Sequence, residues 1–455
     1  MPLDAERDYM NILFITEPYV IDPIGIAYLS AALKKNDHVV KILRTCDLNK
    51  STKDLVQFHP DILAYSVYTG RQNFYVNLNR NIRRFLTRHH QYPVSIFGGP
   101  HPTFFSEIIK KAYVDVVCQG EFDLLISDMI NRFEHGKILR KYVFKADMNP
   151  QDLDALPFPD RELIYQFPEN ANNPIKNIMT SRGCPFSCPY CYNSAFNKMF
   201  TGKTVRYRSV DSVIEEAAQL LCNYPQTKYI FFVDDEFVSK ISRLAEFSEK
   251  WIKNIAIPFH AQLRIDLVTE EKVMLLKEAG CTSITFAIET GNEKKRKTLL
   301  RRKISNETIL NAARILRKHN ILFRTENMLA LPNETVDEAI ETLDLNIACK
   351  PTIGWSSLFQ PYPKTDLGEL AVDQKLFDGK LEDIPSTFFE KSVLKIPEGQ
   401  KRRFENLQRL FGFICSHPFL RIFVRFLIWL PMNRIYNHLY AWHKKSRYDV
   451  LFKFS

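Results

Sequence analysis

Three cysteines near the middle of the chain are the residues best suited to bind a metal centre. Cys184, Cys188 and Cys191 lie within eight residues of one another, in the segment CPFSCPYC. A structural zinc site needs four protein ligands, and the first histidine after this segment is His260. Three thiolates leave one iron of a four-iron cluster open for chemistry. The spacing therefore favours an iron–sulfur cluster, with structural zinc as the alternative.

The cysteines follow the first strand of a repeating pattern of strands and helices. The predicted strands cover 176–182, 228–234, 258–265, 283–290, 322–330 and 354–360. The predicted helices cover 210–223, 240–254, 269–279, 305–319 and 335–349. Six strands with five helices predict a parallel barrel that is two repeats short of a complete one. Such barrels carry their chemistry at the carboxyl ends of the strands, which is where the cysteines lie.

An earlier pattern of the same kind runs from residue 11 to about 136. Its predicted strands are 11–15, 38–43, 61–67, 94–99 and 114–120. Its predicted helices are 24–36, 51–59, 71–90, 102–112 and 122–136. Five such repeats predict a parallel, doubly wound sheet, whose ligands bind at the carboxyl ends of the strands. The segments expected around one crevice are EPYV (17–20), VYTG (67–70), GGPHPT (98–103) and QGEFD (119–123).

The two patterns divide the chain into four predicted parts. Residues 1–140 form the doubly wound, Rossmann-like domain, and 141–175 hold five prolines with little periodicity, which indicates a linker. Residues 176–365 form the partial (β/α)6 barrel. Residues 366–455 form a mainly helical region that is basic and aromatic. The predicted fold class is therefore α/β, followed by a helical carboxyl-terminal region.

The positive charge of the chain is concentrated near its carboxyl terminus. The net charge is +10, and residues 400–455 hold eleven lysines and arginines against two acids, so nine of the ten net charges lie there. The body of the chain therefore gives no reason to expect a nucleic-acid partner. The stretch FLRIFVRFLIWLP (419–431) alternates arginines with large apolar residues, which is typical of a helix that lies on a membrane surface. The alternative is a helix packed against the barrel, with its arginines reaching water.

The remaining composition predicts a cytoplasmic protein. The first ten residues are charged and lack the apolar core of a signal peptide. No run approaches the roughly 18 uncharged apolar residues that a spanning helix needs. Nine scattered cysteines are too few, and odd in number, for a disulfide scaffold. We therefore expect a cytoplasmic chain whose only membrane contact is peripheral, through 400–455.

The cysteine segment resembles the signature of the radical S-adenosylmethionine (SAM) enzymes, CxxxCxxC after the first strand of a partial (β/α)6 barrel. Tyr190 matches the aromatic position of that signature. The resemblance implies a [4Fe–4S] cluster on Cys184, Cys188 and Cys191, with the amino and carboxyl groups of SAM on the fourth iron. Reductive cleavage of SAM would release a 5′-deoxyadenosyl radical. Such a radical requires a barrel mouth that excludes water.

Further strand ends resemble the SAM-binding segments of the same family. Asp234 and Asp235, in VDDE, match the motif that recognises the methionine amino group. Arg264, in QLRID, would hold the methionine carboxylate through a charge-assisted pair. Glu289, in FAIETG, matches the position that contacts the ribose.

One more segment, MLALPNET (328–335), resembles the family segment GLPGET, whose backbone lies near the adenine of SAM. The resemblance therefore implies a backbone contact at Leu331. The chain departs from the family here, because Ala330 and Asn333 stand where the family has its two glycines.

The amino-terminal domain resembles the cobalamin-binding domain that precedes the barrel in one large branch of these enzymes. The segments that carry this resemblance are 24–33, 97–109 and 114–130. The DxHxxG loop that supplies an axial histidine in many cobalamin proteins is absent. The resemblance thus implies cobalamin bound without that ligand, its lower face turned to side chains such as Tyr68 or Thr69. The full set of implied cobalamin contacts is Glu17, Tyr68, Thr69, Gly98, Gly99, Pro100, His101, Gly120 and Glu121.

These resemblances imply a cobalamin-dependent (class B) radical SAM methyltransferase. Its substrate would be an unactivated carbon of a small molecule, a lipid or a natural product, and its electron donor a flavodoxin or ferredoxin. One alternative keeps the cofactors but forms or rearranges a ring without methyl transfer. An alternative of another class is a non-catalytic corrinoid or electron carrier. A methylthiolating enzyme is disfavoured, because its amino-terminal domain needs three cysteines and only Cys46 and Cys118 occur there.

Overall fold

The computed structural model of the chain contains two compact units, each with its own parallel sheet. The described residues are 9–48, 52–134, 141–237, 240–431 and 433–452. The first unit comprises Met1–Asn173 and Asn197–Lys203, and the second comprises Pro174–Phe196 and Thr204–Ser455. No helix in the described ranges is long and apolar enough to cross a bilayer.

The first unit is built on a six-stranded sheet whose neighbouring strands all run parallel. Its strands are β1 (Asn11–Thr16), β2 (Val39–Arg44), β3 (Ile62–Ser66), β4 (Val94–Gly98), β5 (Val116–Gln119) and β6 (Tyr142–Lys145). Their order across the sheet is β2-β1-β3-β4-β5-β6. The chain reverses direction across the sheet between β1 and β3, and doubly wound sheets bind ligands at such a switch point. The doubly wound domain predicted from the sequence is therefore confirmed.

Helices connect these strands and bury their apolar residues. They are α1 (Ile24–Lys34), α2 (Thr52–Phe58), α3 (Gln72–Arg88), α4 (Pro100–Phe104), α5 (Ile126–Glu134), α6 (Arg161–Tyr165) and α7 (Pro168–Ala171). Ile15, Leu63, Phe97 and Val117, one from each of four strands, are fully buried in the core. Each such side chain contributes about 1.5–3 kcal/mol by leaving water.

Two predictions for this unit differ from the structure. The predicted linker 141–175 holds β6, α6 and α7, and β6 pairs in parallel with β5. A four-residue strand at a sheet edge is too short to give a periodic signal, so only tertiary pairing reveals it. The predicted helix 102–112 is instead α4 followed by a 3-10 turn, Ser106–Lys110. The end of the predicted helix 122–136 and the boundary at 140 lie outside the described residues.

The second unit is built on a six-stranded parallel sheet, as predicted for the partial barrel. Its strands are β7 (Ile175–Ile178), β10 (Tyr229–Phe232), β11 (Phe259–Gln262), β12 (Cys281–Glu289), β13 (Leu322–Leu329) and β14 (Ile353–Leu358). Between β7 and β10, two short antiparallel strands pair, β8 (Ser181–Arg182) and β9 (Arg206–Tyr207). The order of the large sheet is β14-β13-β12-β11-β10-β7, so β7 and β14 are its edges.

Several of the helices that flank this sheet begin at side chains that cap them. The helices are α8 (Tyr192–Met199), α9 (Val210–Asn223), α10 (Ile241–Asn254), α11 (Glu270–Glu278), α12 (Glu293–Thr298), α13 (Asn306–Lys318) and α14 (Val336–Cys349). Ser209, Thr269 and Ser305 each accept a backbone N–H in the first turn of α9, α11 and α13. Thr335 and Glu338 form a capping box at the start of α14. Each cap contributes about 1 kcal/mol to its helix.

Strand β13 shows that the two faces of the sheet differ. Its odd-numbered residues are buried, whereas Arg324, Glu326 and Met328 are partly exposed. Phe323 packs with Leu316 of α13 in the core cluster under the helices. The face opposite the helices therefore carries the charged side chains of this strand, as expected of the inside of a partial barrel.

The carboxyl-terminal region is helical, as predicted. It consists of α15 (Asp366–Asp373), α16 (Glu398–Ser416), α17 (Val424–Trp429) and α18 (Asn433–Leu451). Leu407, Phe411 and Ile414 of α16 are fully buried against residues of β14 and α14. Helix α16 is therefore part of the core of the second unit.

Candidate functional site

The three cysteines lie in the loop between β8 and α8, with Cys191 directly before the helix. All three are part-buried and none forms a disulfide. The backbone N–H of Cys191 bonds the carbonyl oxygen of Cys188 at 3.2 Å, which closes the loop into a turn. Gly183, with φ +86°, starts this loop, and a Cβ there would overlap the carbonyl oxygen of Thr204. Glycine is therefore required just before the first cysteine.

Burial disfavours ionisation of two of the loop cysteines, so thiolates there need the positive charge of a metal centre. Burial raises the pKa of Cys184 to about 11 and that of Cys191 to about 12, and the negative charge of Asp235 adds to both shifts. A metal centre must displace these thiol protons, and its positive charge is what favours the thiolates. In the described ranges, no three Asp, Glu, Cys or His side chains are arranged so that they could hold a single metal ion. Three free thiols suit a cluster, because each cysteine then binds a different iron.

Three consecutive acids after β10 have three different environments. Asp234 is only 1% exposed, and its carboxylate accepts bonds from the backbone N–H and the hydroxyl of Thr180, at 3.1 and 2.9 Å. Asp235 is exposed as a residue. Partial desolvation of its carboxyl raises the pKa, and a hydrogen bond with Asn193 lowers it. Glu236 is buried and accepts the backbone N–H of Arg264 at 2.6 Å. Of the two predicted SAM contacts, the structure leaves Asp235 accessible and uses Asp234 as an internal anchor.

Arg264 lies beside the cysteine loop. Its guanidinium stacks on the ring of Phe186 at 3.8 Å, and Phe186 stands between the first two cysteines. Its Nε donates to Asp266 at 2.8 Å. The structure therefore brings this predicted carboxylate ligand to the loop, held by one aromatic and one acidic neighbour.

A buried network joins the cysteine loop to the end of β12. The hydroxyl of Tyr190 donates to Glu289 at 2.7 Å, and Arg302 donates to both of them, at 3.2 and 3.3 Å. Burial raises the pKa of Glu289, while Arg302 and Tyr190 oppose that rise. The backbone of Glu289 is left-handed, with φ +70°. Two predicted SAM contacts, Tyr190 and Glu289, thus bond each other directly, and Arg302 donates to both. The sequence did not single out Arg302, because RRK (301–303) has the composition of a solvated surface.

The segment after β13 forms a turn around a buried acid. Ala330 and Asn333, which replace the two glycines of the family segment, have φ +60° and +56°. The left-handed backbone that glycine adopts easily is therefore kept here by residues with side chains. The N–H of Leu331 donates to Glu334 at 3.1 Å, and burial raises the pKa of Glu334 to about 8. Glu334 holds the predicted adenine segment in shape and was missed by the sequence reasoning.

In the first unit, the predicted cobalamin contacts near β1 and β3 divide into an exposed and a buried group. Glu17 pairs with Arg71 at 2.9 Å and accepts a weak bond from Tyr68, which is 43% exposed. Thr69 and His101 are buried and bond each other at 3.2 Å. His101 is only 2% exposed, so its ring faces the interior. The structure therefore leaves Tyr68 available to a ligand and does not present His101 to one.

The loops after β4 and β5 depend on glycine. Gly99 has φ +92°, and a Cβ there would lie 2.8 Å from the Ser66 hydroxyl. Gly120 has φ +101°, and its N–H donates to the Thr103 hydroxyl at 3.2 Å, which joins the two loops. The other predicted contacts lie directly beside them, namely Gly98 at the end of β4, Pro100 at the start of α4, and the partly exposed Glu121.

Comparison with known families identifies both units. A model of the B12 binding domain matches residues 10–128, and a model of the radical SAM superfamily matches 178–345. The chain therefore carries a B12-binding domain and a radical SAM domain. The two domain types confirm the predicted cofactors. These are cobalamin for the B12-binding domain, and a [4Fe–4S] cluster with SAM for the radical SAM domain.

Relatives of this radical SAM protein include methyltransferases and cyclases. An uncharacterized methyltransferase from Pyrococcus horikoshii is 29% identical over 385 residues, covering 78% of this chain and 79% of its own. An anaerobic magnesium-protoporphyrin IX monomethyl ester cyclase from Rubrivivax gelatinosus is 22% identical over 429 residues, covering 86% and 73%. The relatives therefore support a methyltransferase-like enzyme without deciding between the two reactions.

Solved structures share the fold of this radical SAM protein. The methyltransferase TsrM from Kitasatospora setae, with cobalamin and a [4Fe–4S] cluster bound, has a TM-score of 0.62 at 15% identity and covers 80% of this chain and 78% of its own. The cobalamin-dependent radical enzyme OxsB, with aqua-cobalamin bound, has a TM-score of 0.67 at 15% identity and covers 97% and 72%. At such identities the likeness shows the fold, and it agrees with the predicted fold class.

Proposed function

We propose that this radical SAM enzyme transfers a methyl group to an unactivated carbon of a small-molecule, lipid or natural-product substrate. The observation that carries the proposal is the presence, in one chain, of a B12-binding domain and a loop of three cysteines, none in a disulfide, after the first barrel strand. A methyl-carrying cobalamin suits this task, because a carbon radical accepts a methyl group that ordinary electrophilic transfer cannot place. The methyltransferase relative, which aligns over most of both chains, supports the same reaction.

The second unit supplies the residues that would hold the cluster and SAM. Cys184, Cys188 and Cys191 would bind three irons, and SAM at the fourth would provide a 5′-deoxyadenosyl radical. Asp235, which is exposed, would accept hydrogen bonds from the ammonium group of SAM through its carboxylate. Arg264, stacked beside the loop, would pair with the SAM carboxylate.

The same unit would shape the rest of the SAM site. Glu289, held by Tyr190 and Arg302, would accept a bond from the ribose, and the backbone at Leu331 would face the adenine. This network is buried away from bulk water, and a site that excludes water protects a radical from unwanted quenching. Asp234, anchored by Thr180, would act by positioning the loop around Asp235 rather than by touching SAM.

The first unit would hold cobalamin without a protein ligand to cobalt. The exposed Tyr68 would face the lower side of the corrin, beside the pair Glu17–Arg71. Since His101 is buried and bonded to Thr69, it would support the loop rather than coordinate cobalt. When bound, cobalamin would supply the methyl group that the reaction transfers.

Ring formation without methyl transfer is the second candidate function. The specific observation in its favour is the match to cyclases from Rubrivivax gelatinosus and Cereibacter sphaeroides, which covers 86% and 78% of this chain. It uses the same cofactors and the same residues, so the residues alone do not separate it from methyl transfer.

Product mass separates the two reactions. The full-length protein would be reconstituted anaerobically and supplied with SAM labelled in its methyl group, a flavodoxin or ferredoxin as electron donor, and extract as the substrate source. Methyl transfer predicts 5′-deoxyadenosine together with a product that gains one labelled CH₂ unit. Formation of 5′-deoxyadenosine with an unlabelled product that has lost hydrogen would favour ring formation. A reduced, reconstituted protein that forms neither would overturn the proposed function, and the Cys184→Ala variant is the matched background.

A further inference from the structure

The surface of the carboxyl-terminal region carries a cluster of large apolar side chains that face water. The cluster, here called the apolar patch, consists of Phe419, Ile422, Phe423, Phe426 and Trp429, whose exposed fractions run from 52% to 78%. Scattered exposed apolar residues are ordinary, whereas five within eleven residues form a contiguous surface. Such surfaces mark sites where a protein meets a membrane or a partner.

The segment that carries the patch is fixed to the second unit by its other face. Val424 and Ile428 are buried in the core with residues of α16. Arg421 pairs with Asp344 at 2.8 Å, and Arg425 pairs with Asp337. Both acids belong to α14, so the segment packs on the second unit, as the alternative in the sequence analysis proposed, but its two arginines pair with acids instead of reaching water. The apolar patch nevertheless points outward, because the buried face of the segment is already occupied.

A cationic groove lies at the edge of the patch. It encloses about 620 Å³, and its walls combine Arg403 and Gln400 of α16 with Phe426 and Trp429 of the patch. Asp337 also lines the groove, where it is paired with Arg425. The exposed guanidinium of Arg403 forms no ion pair with any described residue. A guanidinium between aromatic rings is suited to the phosphate of a lipid whose acyl chains lie along the patch.

The surrounding surface has the charge that such a lipid requires. Helix α18 packs on α17 through the hydroxyl of Tyr436, which donates to Leu427. Its neighbours Arg434 and Ile435 are exposed, as is Lys445 farther along the helix, whereas the ammonium of Lys444 lies over the ring of Trp355. Close to an anionic surface, each lysine or arginine strengthens binding about fivefold at low salt.

We propose that the apolar patch, the cationic groove and the exposed basic residues of α18 bind the chain peripherally to membranes that contain anionic phospholipid. A second copy of the chain fits this surface poorly, because it would bring two strongly positive regions together. A lipid surface instead combines apolar and anionic groups, which matches the patch and the groove at once. The proposal concerns where the enzyme binds and does not depend on the reaction that it catalyses.

Vesicle co-sedimentation of the full-length protein tests the proposal. We expect binding to vesicles of phosphatidylcholine with phosphatidylglycerol at low salt, weaker binding at high salt, and little binding to phosphatidylcholine alone. The double variant Ile422→Ser and Phe426→Ser should lower the vesicle affinity about tenfold or more, since it withdraws two large apolar side chains. Arg403→Gln should lower it about fivefold on the anionic vesicles only.

Matched variants keep the result interpretable. Ile252→Ser on α10 and Met274→Ser on α11 remove exposed apolar side chains that lie outside the patch, and should leave vesicle binding unchanged. All these side chains are exposed, so circular dichroism and melting should match the wild type. The proposal is overturned if the wild type stays in the supernatant at low salt, or if the patch variant sediments like the wild type. It is equally overturned if the patch variant instead turns a wild-type dimer into a monomer in sedimentation velocity, which would identify the partner as a second copy.

Discussion

Replacing Glu334 by glutamine is expected to change how the stability of the second unit depends on pH. Glu334 is 3% exposed, and its Oε2 accepts the N–H of Leu331 while its Oε1 has no hydrogen-bond partner among the described residues. Burial raises its pKa to about 8, against the opposing effects of the Leu331 N–H and the Lys295 ammonium. Glutamine keeps the acceptor and cannot ionise, so it imitates the protonated acid.

The magnitude follows from the two pKa values. The unfolded chain releases this proton near pH 4.5, whereas the folded chain keeps it until about pH 8. Between these values the unfolded state is favoured increasingly, so the wild type loses stability as the pH rises. The slope is about 1.36 kcal/mol per pH unit, so about 2.7 kcal/mol is lost between pH 5 and pH 7. Glu334→Gln should remove this loss.

Urea unfolding at pH 5, 6 and 7 measures the effect. All four tryptophans lie within the second unit, so their fluorescence reports that unit alone. Asp378→Asn is the matched control, because a hydrogen bond from Lys395 lowers the pKa of Asp378 and this residue does not act on Glu334. The stability contributed by a lowered pKa is complete above pH 4.5, so this control should run parallel to the wild type. If wild type and Glu334→Gln also run parallel, Glu334 ionises normally and the reasoning is wrong.

Four further predictions test the two cofactor sites and the backbone around them. Replacing the three loop cysteines by alanine should abolish bound iron and sulfide in anaerobically purified protein; undiminished iron, or stoichiometric zinc in the wild type, would contradict the cluster. The cob(II)alamin form should show no nitrogen superhyperfine splitting in electron paramagnetic resonance, and a splitting that His101→Ala removes would show that a histidine binds cobalt. Arg302→Met should lower the free energy of unfolding by about 3–5 kcal/mol, because it leaves the buried carboxylate of Glu289 without its ion-pair partner. Arg301→Met, which removes a surface pair, should lower it by less than about 1 kcal/mol. Ala330→Gly should raise the stability by about 1 kcal/mol in thermal melts, because Ala330 has φ +60°, and a lower melting temperature would count against strain there.

The two adjacent aspartates after β10 have different roles in the structure. Asp234 and Asp235 are adjacent in the chain and equal in charge, yet one is buried under Thr180 and the other is exposed. Adjacent side chains after a strand point in different directions, so only one of the two can face a ligand bound at the strand ends. Asp234→Asn should therefore lower the stability of the fold, whereas Asp235→Asn should weaken SAM binding.

The regular architecture was predictable from the sequence because it depends on local patterns. Helices α9, α13 and α14 fall within one residue of their predicted bounds, since apolar periodicity and a capping side chain such as Ser305 both act over a few residues. The spacing of the three cysteines is likewise local, and it predicted the cluster loop without any contact information. Strand β6 was not predictable, because its four residues become a strand only by pairing with β5.

The identity of the groups that hold the site together was decided by tertiary structure. Arg302 is adjacent in sequence to the exposed Arg301, yet it is buried where β12 and the cysteine loop meet, and only that packing gives it Glu289 and Tyr190 as partners. In the same way, His101 lies in the interior because Thr69, 32 residues away in the chain, bonds its ring. A sequence specifies which groups are available for chemistry, since that depends on residue type and local spacing. Burial and partner choice depend on contacts between distant segments, so these were decided only when the chain folded.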